Sequence, residues 1–197
     1  MSNIVVFYDT EYTSWEGAMD NDWKGPGQYR ELVQIGALRF DLDTLEAKEE
    51  FLILIKPVRN PQLSAFFTQL TGITQADIER DALDFPDAYR AFRAFAGACP
   101  TAAYGLDARV VRENLGFNAM PDTEAEFDSH NIGPWFHEQG AAHGITKGIN
   151  SGRLAAAVGA EMSSIQEHNA LHDARSIAAA YRFLIGKNAR PFFAGKL

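Results

Sequence analysis

Residues 4–11 read Ile-Val-Val-Phe-Tyr-Asp-Thr-Glu, and this stretch decides the fold. Ile4 to Tyr8 is a run of β-branched and aromatic residues, too short to favour a helix, so it reads as a buried strand. The run ends on Asp9-Thr10-Glu11. Side chains two apart on a strand point to one face, which places both carboxylates together just beyond an apolar strand. They repel each other unless a cation sits between them, and hard divalent ions such as Mg²⁺ take oxygen ligands of this kind. Asp-x-Glu also occurs at Asp77/Glu79 and Asp122/Glu124, but only Asp9/Glu11 follows a strongly apolar strand. The other two read as solvated loop or helix acids, and a plain surface pair remains the alternative for Asp9/Glu11.

Downstream of the strand, residues 14–30 hold three glycines and a proline and read as a loop. Glu31 to Phe40 and Glu50 to Ile55 look like a second and a third strand, the latter stopped by Lys56-Pro57, and the order suggests an antiparallel meander. Helical signals follow at Pro61 to Leu70, at Thr74 to Glu79 and after Pro86, where Tyr89, Phe92, Phe95 and Ala96 recur at helical spacing. Thr101 to Tyr104 is a short strand, Asp107 to Leu115 a helix, and Glu126 to Ser129 an edge strand. Ser151 to Val158 is helical again. In the last helix Asn169 is the N-cap, Leu171, Ala174, Ile177, Ala178, Tyr181 and Leu184 form one stripe, and Gly186 is the stop. Strands followed by mixed helices and strands indicate an α/β domain with a mixed sheet.

The composition narrows the function classes. The 197 residues fit one domain, 1–197, and 46% of them are apolar, which excludes a wholly disordered chain. One cysteine, Cys99, excludes an intramolecular disulfide framework and a multi-cysteine zinc site. No apolar run approaches a membrane span, and the N-terminus lacks the basic region of a signal peptide, so a cytoplasmic protein is expected. With 18 Lys+Arg against 26 Asp+Glu the net charge is −8, which excludes binding of long nucleic acid by a broad basic surface. Acids that hold metal ions could still engage phosphates, and a solubilising acidic surface is the plainer reading of the charge.

Two further places carry chemistry. In His168-Asn169-Ala170-Leu171-His172-Asp173, residues five apart in a continuous helix would lie about 140° apart. With Asn169 as the cap, however, His168 lies outside the helix and can swing toward the cleft that Asp173 faces. A neutral His there could take a proton near neutral pH. A zinc site on His168 and His172 lacks both the Glu after the first His and a third ligand. The other place is Asp107 in Tyr104-Gly105-Leu106-Asp107, an acid after a short strand and at the start of a helix, where the helix dipole alone would favour it.

Taken in order, Asp-x-Glu, then Asp, then His-x-x-x-x-Asp resembles the DEDDh branch of the DnaQ-like (RNase T) 3′-to-5′ exonuclease superfamily. The resemblance spans most of the chain: Phe7 to Glu11, Glu31 to Ala37, Leu70 to Thr74, Phe85 to Ala88 and His168 to Ala174 each look like a family segment. The loop Tyr12 to Gly17 is similar to the KapD-like and histone-mRNA-exonuclease-like group. That group carries an aromatic before the second-motif Asp, where this chain has Leu106. Asp122 and Asp128 are the other acids for that position, without the strand-Gly-helix setting.

The resemblance implies a ribonuclease-H-like fold, a mixed five-stranded sheet flanked by helices, and two divalent ions, Mg²⁺ or Mn²⁺. On that pattern Asp9, Glu11, Asp107 and Asp173 are the metal ligands and His168 the general base. The implied activity is hydrolysis of single-stranded RNA or DNA from a free 3′ end. A proofreading-type exonuclease subunit, or a non-catalytic nucleic-acid-binding domain of the same fold, are the alternatives. Related enzymes include dimers, so a homodimer is open. Thr10 and Glu11 would hold the terminal 3′-hydroxyl through their backbone. Tyr12, Trp15, Phe67, Leu70 and Ile73 are candidates to contact bases, with core packing the competing reading for Phe67, Leu70 and Ile73. Lys147 and Arg153 could reach phosphates or simply be solvated. Ile132 to Phe136 reads as an exposed apolar segment, an interface or a packed lid.

Overall fold

The computed structural model describes residues 3–120, 127–162 and 168–194. The expected meander forms from β1 (Ile4–Tyr12), β2 (Leu32–Asp41) and β3 (Glu46–Lys56), paired antiparallel in sequence order. After the helices α1 (Ala65–Thr71) and α2 (Gln75–Asp81), β4 (Leu83–Asp84) adds parallel to β3. Helix α3 (Phe85–Ala96) then leads to β5 (Thr101–Ala103), which runs parallel to β1. Helix α4 (Asp107–Phe117) is followed by β6 (His130–Asn131), parallel to β5. The chain finishes through α5 (Gly133–Gln139), α6 (Leu154–Val158) and the long α7 (Ala170–Gly186).

Among the described residues the sheet order is β4-β3-β2-β1-β5-β6, six strands where five were expected. Both edge strands are two residues long, and two residues carry no alternation to read. Of the edge strand expected at Glu126 to Ser129, Glu126 lies outside the described residues. Phe127 to Ser129 are not in a strand, and the pairing falls on His130 and Asn131.

Alternation along β1 builds both cores. Val5 and Phe7 face one layer with Leu38, Phe40, Ile177, Tyr181 and Leu184 of β2 and α7. Val6 and Tyr8 face the other, with Ala88, Tyr89 and Phe92 of α3 and Val110 and Val111 of α4. Ile177, Tyr181 and Leu184 are essentially fully buried, and each such side chain contributes about 1.5–3 kcal/mol. The segment Ile132 to Phe136 is not an exposed apolar patch, since Pro134 alone among its residues is exposed. Ile132 and Phe136 are completely buried, and the Trp135 indole N–H donates to the Arg190 carbonyl at 2.7 Å. Its apolar residues serve the α7-side core as α5.

The loop between β1 and β2 is tied down by buried polar groups. Arg30, only 6% exposed at its side chain, makes a two-pronged bond to Glu113 of α4 at 2.7 and 3.0 Å and reaches Asp22 at 3.1 Å. Asn114 accepts from Leu32 N and donates to the Arg30 carbonyl. Glu31, read from sequence as the first residue of the second strand, precedes β2 instead. Its carboxylate accepts from the backbone N–H groups of Val58, Arg59 and Asn60 and so fixes the turn after β3.

Candidate active site

The residues of β1 past Tyr8 continue the alternation that builds the cores. Asp9 and Glu11 share the face of Val5 and Phe7 and point toward α7, while Thr10 shares the face of Val6 and Tyr8 and points toward α4. Each helix presents an acid in its first turn, Asp173 on α7 and Asp107 on α4. Four carboxylates from three elements therefore meet at one end of β1.

The α7 side is positioned by β2. Asp9 pairs with Gly36 across the ladder and Glu11 with Gln34. Gln34 is buried, and its side-chain carbonyl accepts from Ala170 N at 2.9 Å, satisfying an N–H that the helix start leaves over. Asn169 caps as expected, accepting from Leu171 N and His172 N at 3.2 Å. A Cβ on Gly36 would lie 2.5 Å from Leu171 Cα and closer still to Leu171 N and Ala170 C. Glycine here lets the helix backbone rest directly on the strand. Ser151 donates to Asp173 Oδ2 at 3.2 Å, and its hydroxyl also draws the Asp9 carboxyl down against the larger upward push of burial. Neighbouring Gly152 sits so close to the Asp173 carboxylate that a methyl group there would overlap it.

On the α4 side, Asp107 Oδ1 accepts from Thr10 N at 3.0 Å and from Thr10 Oγ1 at 2.7 Å. Burial pushes the Asp107 carboxyl up to about 6, with the Thr10 hydrogen bonds opposing the rise. Asp9 and Glu11 are also pushed well above the usual carboxylate range. Burial is the largest cause for each, and the neighbouring carboxylates add to it. Asp9, Glu11, Asp107 and Asp173 are all less than a tenth exposed. Oxygens of Asp9, Glu11 and Asp173 lie within 4.8 Å of one another. An all-oxygen, multiply negative donor set of this kind suits a hard divalent cation, and a cation there would offset the repulsion.

The carboxylates form the floor of an open cleft of about 330 Å³. His168 lines it, held by a left-handed backbone (φ 60°) just before the Asn169 cap. Tyr12, Leu70, Leu106, Met19 and Trp23 line it too. Trp15 is not among the lining residues, and Ile73 is buried with Val33, Phe67 and Ile78 in a separate small cluster. Phe67 is likewise core, at 1% exposure. His172 is buried on α7 outside the carboxylate cluster. Asp77 is a capping-box residue, accepting from Thr74 N and Thr74 Oγ1. Asp122 and Glu124 lie outside the described residues, and Asp128 lines a different pocket, beside Cys99 and His130.

Sequence reasoning missed Gln34, Gly36, Ser151, Gly152 and Trp23. A signal existed for one of them: a glycine inside an otherwise strong strand marks close approach of another backbone.

Comparison with known proteins agrees with this arrangement. Residues 6–181 match the RNase T family, described as exonuclease. Among curated proteins the chain is similar to the 3′-5′ exonuclease Snipper of Drosophila melanogaster, 33% identical over 77 residues, which are 39% of this chain and 26% of that protein. The match thus spans about a quarter of that relative's length. Among solved structures, the nuclease domain of 3′hExo, a DEDDh family member bound to rAMP, aligns with a TM-score of 0.77. It is 19% identical, over 95% of this chain and 94% of that one. Cell-death related nuclease 4 (CRN-4) aligns at 0.74 and 19% identity over 95% and 65% of the two chains. The E. coli ExoI-ssDNA complex aligns at 0.71 and 16% identity over 98% and 43%. Such distant likenesses carry the fold, whereas the family match runs from β1 into α7 and so takes in Asp9, Glu11, Asp107, His168 and Asp173. The chain belongs to the RNase T exonuclease family.

Proposed function

We propose that the chain shortens single-stranded RNA or DNA from a free 3′ end by hydrolysing the terminal phosphodiester. The observation that carries this reading is the set of four buried carboxylates on the floor of one open cleft, with His168 on its wall. Asp9, Glu11, Asp107 and Asp173 would hold Mg²⁺ or Mn²⁺, two ions in this reading. Bound there, the ions supply positive charge to the attacking and the leaving oxygen of the phosphodiester. Family membership and the ssDNA and rAMP complexes of structural relatives support nucleic acid as the substrate.

The chain's own residues do the rest. His168 accepts the proton of the attacking water. Its partial exposure lets that proton pass to solvent before the next cycle. Backbone at Thr10 and Glu11 holds the terminal 3′-hydroxyl, which selects an end over an internal bond. Thr10 also fixes Asp107 by two hydrogen bonds, so the strand that carries the first acids orients the fourth. Ser151 orients Asp173 in the same way from the other side.

The test is a time course with 5′-labelled RNA and DNA strands of equal sequence in Mg²⁺ or Mn²⁺, with chelator and Asp9→Ala as controls. The expected result is a ladder shrinking from the 3′ end and abolished by both controls, which also ranks RNA against DNA. A folded preparation that shortens neither strand overturns the proposal and leaves a binding domain.

A further inference from the structure

An unpaired strand must be held beside the carboxylates, and the loop between β1 and β2 offers a structure fit for that. Trp23 lies in the wall of the cleft, half-buried, on a backbone that bulky residues rarely adopt. Asp22 and Trp23 both have left-handed φ angles, 53° and 55°. Such consecutive strain persists only where the surroundings over-determine it, and here they do. Trp23 N donates to the Ala18 carbonyl at 2.9 Å, and Trp23 Nε1 donates to the Thr13 carbonyl at 2.9 Å. The Arg30 guanidinium lies 5.5 Å from the indole centroid and also holds Asp22 at 3.1 Å. The Tyr12 ring packs 5.4 Å from it.

With its only polar atom already bonded, the indole has nothing but π surface to offer the cleft. Met19, Leu106 and Leu70 rim the same cleft at 79%, 48% and 37% exposure, a concentration of exposed apolar side chains beside buried acids. Stacking on such a wall tolerates any base, because every base has a π face.

We propose that Trp23 is the nucleobase platform of this cleft, stacking on an unpaired base next to the phosphodiester that faces Asp9 and Glu11, with Arg30 as the residue that positions the indole. The inference rests on the function proposed above for the same site. It assigns the contact to Trp23 rather than to Trp15, which lies in the same loop but does not line the cleft.

The test measures binding apart from turnover. In an Asp9→Ala background, a single-stranded DNA oligonucleotide is titrated against tryptophan fluorescence and by direct affinity measurement. A second oligonucleotide lacks the bases of its last two nucleotides. The intact strand should bind about 5- to 150-fold more tightly than the abasic one, the range expected for one stacked base. Trp23→Ala should bring that ratio close to one while Trp15→Phe leaves it unchanged. Fluorescence quenching by the intact strand should disappear in Trp23→Phe and persist in Trp15→Phe, which keeps the inference testable should Trp23→Ala fail to fold. A ratio unaltered by Trp23→Ala, quenching that survives Trp23→Phe, or no binding of the intact strand overturns the inference. Binding with the Trp23-dependent ratio, in a chain whose unmutated form shortens no strand, upholds this inference and overturns the exonuclease reading.

Discussion

Replacing Gly36 by alanine should damage the site from a strand that carries none of its acids. The added Cβ would sit 2.5 Å from Leu171 Cα and nearer to Leu171 N and Ala170 C, whereas ordinary contact begins at 3.4 Å. All three neighbours are backbone, so no side-chain rotation relieves the overlap. The first turn of α7 must retreat by about 1 Å, weakening the Ala170 N to Gln34 bond and carrying Asp173 away from Asp9 and Glu11. Misplacement of that size at a reacting centre costs about 100-fold in rate, or about 2.7 kcal/mol of barrier. Overpacking should cost about 1–3 kcal/mol of stability, lowering Tm by about 2–4 °C for each kcal/mol. Turnover at saturating strand and metal, with a thermal melt on the same preparation, reads both. Gly116→Ala on α4 is the control, since nothing lies within 4 Å of its Cβ position, and it should leave both readouts near wild type. Gly36→Ala with turnover within about threefold of wild type and an unchanged melt would refute the claim that α7 is seated by the absence of a side chain.

The remaining expectations concern the acids and their neighbours. Because Asp107 is raised to about 6 from an ordinary 3.8, and Asp9 and Glu11 are raised too, the folded chain binds protons the unfolded chain has released. The contribution of Asp107 is complete below about pH 4 and is lost as pH rises through about 6, and those of Asp9 and Glu11 are lost above the usual carboxylate range, so on the strength of these groups the cation-free protein should melt lower at pH 8 than at pH 5. Added Mg²⁺ or Mn²⁺ should raise Tm strongly at pH 8 and weakly at pH 5, and equal shifts at both would contradict this linkage. Thr10→Val removes the hydroxyl bonded at 2.7 Å to the Asp107 carboxylate. It should cost about 1.5–3 kcal/mol at pH 8 and move the acid limb of the rate profile to higher pH, as a pH–rate series would show. His168→Asn keeps a residue that tolerates left-handed backbone. It should lower kcat by about 100- to 10,000-fold with Tm unchanged, and near-normal turnover would remove His168 from the role of base.

How much of this was legible in the sequence depended on whether a residue's role is local. Asp9 and Glu11 are announced by the apolar strand before them, Asp107 by a strand-glycine-helix junction, and Asp173 by the Asn169 cap and the stripe that follows. Gln34 could not be read in this way, because its partner Ala170 lies 136 residues away and nothing near it in the chain calls for a buried amide. Ser151 lies 22 residues before Asp173, and nothing near it in the chain marks it as that carboxylate's partner. Phe67 and Ile73 were offered both as base contacts and as core, and the packing of α1 and α2 against Val33 makes them core. The sequence pointed to Trp15 in its glycine-rich loop and not to Trp23, yet it is Trp23 that lines the cleft. Trp23 is held there on left-handed backbone, which a bulky aromatic residue does not suggest.

The four acids also explain how they can be buried together before any cation arrives. Strand alternation sends Asp9 and Glu11 to one face and Thr10 to the other, so the charge is divided between two helices rather than stacked on one. Asp173 and Asp107 each sit in the first turn of their helix, where the unpaired N–H groups and the helix dipole favour a carboxylate. Raised carboxyl groups complete the adjustment, since a proton held on Asp9 or Glu11 relieves part of the repulsion in the cation-free cluster. A chain of net charge −8 therefore needs no broad basic surface to meet a phosphodiester. On the function proposed, the acids that would repel the strand are the ones whose arrangement suits them to hold the cations that attract it, and the apolar wall around Trp23 is left to hold the bases.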